Sequence, residues 1–121
     1  MKVPDSTSRK IVLAPVVGSR YNPTMRIISR KILREFWDKH PDARQPLQAW
    51  YDDVKHAEWH SPADIKNVCR NASFLANNRV VFNIKGNSYR LIVAVQYAHG
   101  ILYIRFVGTH RDYDKIDAAT I

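Results

Sequence analysis

The sequence predicts an α+β domain in which helices pack on one face of an antiparallel β-sheet. Three observations carry this expectation. Residues 79–113 read RVVFNIKGNSYRLIVAVQYAHGILYIRFVGTHRDY, three apolar runs parted by two short turn signals. Upstream, Ile32, Leu33, Phe36 and Trp37, then Leu47, Trp50, Tyr51 and Val54, recur at helical spacing and mark two amphipathic helices. A length of 121 residues suits one core and is too short for two.

Residues 1–24 contain Pro4, Pro15, Gly18 and Pro23 and hold no sustained period. Met25 directly precedes the first patterned element. Residues 1–24 are therefore expected to be an N-terminal extension, flexible or upstream of the natural start, and residues 25–121 the domain. Residues 25–28 (MRII) read as a short strand. Ser29 is placed to cap a helix running to about Lys39, its hydroxyl accepting from a first-turn amide. His40 and Pro41 end that helix. Asp42, followed three residues later by Gln45, has the form of a capping box for the second helix, whose first turn tolerates Pro46. Ser61, Pro62 and Asp64 supply an N-cap, a first-turn proline and a favourable carboxylate for a third, shorter helix to about Val68. Arg70 and Asn71 lead into Ser73, Phe74 and Leu75, a connector with an apolar anchor, and Asn77-Asn78 turns the chain into the sheet.

Along the three runs, successive side chains point to opposite faces. Val80, Phe82 and Ile84 share a face with Tyr89, Leu91, Val93 and Val95, and with Leu102, Ile104 and Phe106. The other face carries Arg79, Lys85, Arg90 and Arg105, with Tyr103 and Val107 among its apolar members. The short first strand and this three-stranded meander complete the expected sheet. One face packs, and the other can hold an anion.

A formal charge of +8 favours polyanionic partners, nucleic acid foremost. Residues 1–24 contribute three of those charges, and the remainder stays basic. The one cysteine, Cys69, excludes an intramolecular disulfide and reads as a small apolar residue near a helix end. No apolar run approaches the roughly 18–20 residues of a membrane span. The run IVLAPVV at 11–17 is too short, and broken by Pro15, for a signal sequence, so the expectation is a cytoplasmic protein without membrane contact. His56 and His60 lie four apart in HAEWH. The carboxylate is misplaced for a zinc-protease motif and no third ligand is evident, so neither metal nor cofactor is expected.

After the third run comes Gly108-Thr109-His110-Arg111-Asp112-Tyr113-Asp114, which sets an imidazole and a phenol beside the polar sheet face. Metal-free RNA cleavage needs a base for the ribose 2′-hydroxyl, cations for the phosphorane and an acid for the leaving 5′-oxygen. Histidine transfers protons near neutrality, and arginine holds phosphate with a rigid fork of donors. Lysine can clamp phosphate or, with a lowered pKa, carry a proton. Arg90, His110, Lys85 and Tyr113 are the candidate catalytic set. Arg79, Arg105 and Arg70 are candidate RNA contacts, although Arg105 could instead pair with a carboxylate and Arg79 could be a solvated edge charge. Tyr103 reads as packing and His99, in a turn, as solvent-exposed.

The stretches ASFLANNRVVFNIKGNSYRLIVAV (72–95) and RFVGTHRDYDKID (105–117) closely resemble the HigB family of bacterial toxins, a branch of the RelE/ParE-like superfamily. HPDARQPLQAWYDDVKHAEWHSPADIK (40–66) looks like the helical half of that family. The resemblance covers residues 25–121 and implies a RelE-like fold. It also implies a toxin that cuts mRNA in the ribosomal A site without a metal, touches 16S rRNA, and is held by a helix-turn-helix, HigA-like antitoxin in a toxin-antitoxin heterotetramer. In related ribosome-dependent toxins an arginine of the Tyr-Arg-Leu strand contacts the scissile phosphate, a position matched here by Arg90. The position two residues after the Val-Gly of the last strand is matched by His110, where the RelE branch has arginine. Tyr113 lies nearest to the tyrosine that activates the 2′-hydroxyl or stacks, at a shorter spacing. The lysine pair of the RelE branch is represented by Lys85 alone.

Two rivals remain at this level. One is a toxin of the same fold that inhibits DNA gyrase without catalysis, against which the imidazole and phenol argue. The other is a plain RNA-binding module, which predicts graded losses from single charge removals.

Overall fold

The computed structural model describes residues 25–121, and the expectation for residues 1–24 lies outside them. The described residues run from β1 (Arg26–Ile28) to α1 (Arg30–Lys39), a 3-10 turn (Pro41–Ala43), α2 (Arg44–Lys55) and α3 (Pro62–Val68). It continues through β2 (Ser73–Leu75), β3 (Arg79–Ile84), β4 (Tyr89–Gln96) and β5 (Ile101–Thr109), and then a single helical turn, α4 (His110–Tyr113). The sheet order is β1-β5-β4-β3-β2. The three-helix excursion carries the chain from one sheet edge to the other, and three antiparallel steps bring it back beside β1.

This topology departs from the expectation in two ways. β1 pairs parallel with β5, so the sheet is mixed. The supposed connector Ser73–Leu75 is an edge strand paired with β3. A segment of three residues has too few alternations for its pairing to be read from periodicity.

The helical stripes fall where their spacing puts them. Leu33 and Trp37 of α1 and Leu47, Trp50 and Val54 of α2 are buried. They meet Val80, Phe82, Ile84, Tyr89, Leu91, Val93, Val95, Leu102 and Ile104 of the sheet in one continuous core. Helix ends were less legible. Ser29 adopts a left-handed conformation, with φ 75°, and its side chain caps nothing. Asp42 makes no capping box, because its carboxylate is taken by the sheet. At α3 the expectation holds: the Ser61 hydroxyl accepts from the Asp64 amide at 3.4 Å, with Pro62 at the first position. α2 ends at Lys55, before both His56 and His60, so the two histidines share no helix face. Among the described residues, no group of three or more His, Cys, Asp or Glu side chains gathers around a common ion position.

In the meander, β3 and β4 alternate as read, but β5 does not. Ile92 faces Phe106 while the next residue, Val93, faces Ile104, leaving Arg105 as an extra residue in a β-bulge. The bulge turns Phe106 to the face opposite Leu102 and Ile104 and brings Val107 to the core side, exchanging the two expected positions. On the second face Phe106 joins Val81 and Ile92, which are buried beneath Tyr113, Ile116, Ala118 and Ile121. The C-terminal segment therefore covers part of the face expected to hold an anion.

Among the described residues, no helix is long and apolar enough to cross a membrane.

Candidate active site

Arg90 projects from β4 to the second face, since its neighbours Tyr89 and Leu91 belong to the core. Its register partner in β5 is Gly108. Two residues after Gly108 the strand ends and α4 begins, with the Thr109 hydroxyl accepting from the Asp112 amide at 3.2 Å. That cap turns His110 back over β4. Residues 20 apart in sequence thus meet: Arg90 Nη2 lies 2.7 Å from His110 Nε2. The Arg90 guanidinium also lies 5.9 Å from the centre of the Tyr113 ring. Three of the four candidate catalytic side chains therefore form one cluster.

The contact favours one form of the imidazole. Arginine can only donate, so for this contact to be a hydrogen bond Nε2 accepts and a neutral ring carries its proton on Nδ1. Nδ1 faces the Asp114 carboxylate at 3.8 Å. His110 is 54% exposed at its side chain, so the pair with Asp114 is weak and solvent reaches the imidazole. The other arm of Arg90 donates to the Asn87 carbonyl at 3.2 Å. With the guanidinium turned aside from Nε2, the imidazole can receive a proton, the guanidinium can neutralise a phosphoryl oxygen and the phenol ring at the flank can offer a stacking face.

Gly108 is required here for a reason other than backbone freedom at a strand end. A Cβ on residue 108 would stand 2.5 Å from the Phe106 Cζ, so the ring occupies the space a side chain would need.

Lys85 is not part of this cluster. It opens the β3–β4 turn with φ 52°, and its Nζ contacts Asp42 Oδ2 at 2.6 Å, toward the helical side. The Tyr89 hydroxyl donates to the other oxygen of the same carboxylate at 2.5 Å. These two donors hold the Asp42 carboxyl below the usual carboxylate range, and the same bond pushes the Tyr89 phenol up. Tyr89 is steadied by Phe36, edge-on at 5.1 Å, which stacks in turn on His40 at 4.4 Å.

Arg79 and Arg105 lie on the second face but are engaged. Arg79 Nε and Nη2 donate to the Ile121 main-chain oxygen at 3.1 and 2.6 Å, and Arg105 Nε donates to it at 3.3 Å. Arg70 sits exposed in the turn before β2, at the sheet edge away from β5. His99 is exposed in its turn. On the helical side, a groove of about 720 Å³ between α2 and α3 includes Trp50, Asp53, Trp59, Val68 and Cys69 in its wall. Burial, then Asp53, pushes the Cys69 thiol up, which keeps it protonated and unreactive.

Sequence reasoning missed Asp42, Asn87 and Asp114. Asp114 was detectable, since it stands one helical turn after His110. Asp42 lies 43 residues from Lys85 and leaves no local trace.

The family described as HigB toxin, RelE-like toxic component of a toxin-antitoxin system, matches residues 43–116. A protein named mRNA interferase toxin HigB from Escherichia coli is 30% identical over 97 residues, covering 78% of this chain and 92% of that protein. An mRNA interferase HigB from Shigella flexneri matches at the same identity and coverage. A second mRNA interferase HigB from Escherichia coli is 24% identical over 94 residues, covering 76% of this chain and 91% of its own. With more than half of its length matched by the family and nearly the whole of its relatives covered, the chain belongs to the HigB toxin family, the RelE-like toxic components of toxin-antitoxin systems.

Proposed function

We propose that the chain is a ribosome-dependent mRNA endonuclease that uses the Arg90, His110 and Tyr113 cluster and no metal, and that a cognate antitoxin holds it inactive. The observation that carries this reading is the 2.7 Å approach of Arg90 Nη2 to His110 Nε2, which puts a phosphate-binding fork and a proton acceptor on one spot. His110 Nε2 takes the proton of a ribose 2′-hydroxyl. The 2′-oxygen attacks the adjacent phosphorus, the bond to the 5′-oxygen breaks and that oxygen takes a proton from water, leaving a 2′,3′-cyclic phosphate and a 5′-hydroxyl. Arg90 turns from the imidazole to the phosphoryl oxygens as charge develops on them, where it acts most strongly. Tyr113 stacks on a base or orients the ribose.

The basic surface outside the centre, Arg70, Arg79 and Arg105 included, grips 16S rRNA through counterion release, so binding weakens with salt. Lys85, whose Nζ contacts Asp42, is assigned in this reading to the support of the site. An antitoxin partner and an mRNA substrate are supported by the family and by the names of its relatives, and the reading adds a HigA-type antitoxin and the translating ribosome of the cytoplasm.

His110→Ala and Arg90→Ala test the assignment in a translating extract. Each is expected to lower cleavage by about 10²-fold or more, the scale of a lost acid-base or charge-stabilising group. Thermal stability should stay near that of the parent chain, because the His110 side chain is 54% exposed. Cleavage within a few-fold of the parent for both variants would remove the cluster from the mechanism. Growth inhibition with intact mRNA and blocked DNA supercoiling would favour the gyrase-directed alternative.

A further inference from the structure

The Asp42 carboxylate spans the two ends of the β3–β4 turn. One oxygen holds Lys85, the first residue of the turn, at 2.6 Å, and the other holds Tyr89, the first residue of β4, at 2.5 Å. Within that bracket lies Asn87, whose carbonyl accepts from Arg90 Nη1 at 3.2 Å, and the residue after Tyr89 is Arg90 itself. Lys85 adopts a positive φ of 52°, a conformation non-glycine side chains favour little unless something holds it. The Tyr89 ring is braced by Phe36, and Asp42 belongs to the 3-10 turn between α1 and α2, whose Ala43 is buried in the core. Tyr89 and Arg90 point to opposite faces, so whatever fixes one fixes the other through the backbone.

We infer that Asp42 is a positioning residue for the reaction: by holding Lys85 and Tyr89 together it sets the β3–β4 turn, and the turn aims Arg90 at His110. The inference rests on the cleavage reading for its activity arm and on geometry alone for its spectroscopic arm. Asp42 touches neither substrate nor the reacting atoms. Its effect passes through the Asn87 carbonyl and the start of β4. Lys85, on this account, acts through Asp42 and never meets the phosphate.

The test is a double-mutant cycle in the full chain. Asp42→Asn and Lys85→Met are each expected to lower the cleavage rate on translated mRNA by about tenfold, as a small misplacement of a catalytic group does, with the message concentration for half-maximal rate unchanged. The double variant should be no worse than either single, because both remove the same link. Lys85→Arg, which keeps a cation for Asp42, should retain most activity. If Lys85 instead contacts phosphate, the two losses multiply to about a hundredfold, since independent effects add as free energies, and the inference falls.

Tyr89→Phe guards against a folding artefact, since it keeps the ring packed on Phe36 and removes one of the two Asp42 bonds. It should show a smaller loss in the same direction, and full activity in it would count against the bracket. The ¹⁵N signals of the His110 ring provide the arm that needs no nuclease. The parent chain should show the Nδ1-protonated form, and Asp42→Asn should mix in the other tautomer as Arg90 drifts. Unchanged His110 signals in Asp42→Asn would overturn the inference even if cleavage fell, and absence of cleavage by the parent chain would overturn the proposed function while leaving the tautomer test standing.

Discussion

Gly108→Ala tests how tightly the second face is packed around the site. A Cβ there would stand 2.5, 3.0 and 3.3 Å from Cζ, Cε2 and Cε1 of Phe106. Carbon contacts are comfortable at roughly 3.5–4.0 Å, so the ring must retreat by about 1 Å. It cannot do so freely, because it packs with Val81, Ile92 and Ala118. Overpacking of this kind costs about 1–3 kcal/mol. Replacing glycine with alanine recovers roughly 0.4–1 kcal/mol through the unfolded chain. Taking the middle of each range, the net loss is about 1.3 kcal/mol, or a fall in Tm of roughly 5–10 °C for a domain of this size. Thermal unfolding followed by circular dichroism reads it directly. In a Phe106→Ala background the clash partner is gone, and Gly108→Ala should become neutral or stabilising by up to about 1 kcal/mol. A Tm drop of equal size in both backgrounds would refute the reasoning, as would a single variant indistinguishable from the parent.

Leu47→Ala, at a side chain with no exposed surface in the main core, should cost about 2–5 kcal/mol in chemical denaturation. The Asp42 carboxyl is held below its ordinary range, so its share of stability is fully present above the unfolded carboxylate value and fades as pH falls through the lower folded value. The parent Tm should therefore fall more steeply with acid than that of Asp42→Asn, and parallel curves would remove the carboxylate from acid stability.

Much of the site was legible because it follows from strand adjacency. Arg90 and His110 are distant in sequence, yet an antiparallel β4–β5 pair that places Arg90 opposite Gly108 must bring the following residues near it. The stripes of α1 and α2 were legible for a similar reason, since periodicity reports burial directly. What escaped was set by tertiary contact. Arg105 gives no sign that it will bulge, and that one extra residue reverses Phe106 and Val107. Asp42 had the spacing of a capping box, but two donors from the sheet outcompeted the helix amides for its carboxylate. Lys85 was placed with the arginines by alternation, yet it sits past the end of β3, where alternation no longer governs direction. The apolar character of Val81 and Ile92 on the polar face was a signal that a further segment, here residues 116–121, would come to cover them.

Mapping cut sites by primer extension on a defined message, with and without ribosomes translating it, tests the central claim most directly. The account predicts discrete cuts within the translated region that vanish in His110→Ala and Arg90→Ala, and free RNA left nearly intact. Equal cutting of free and translated RNA would contradict ribosome dependence, and unchanged cuts in both variants would contradict the Arg90 and His110 site itself.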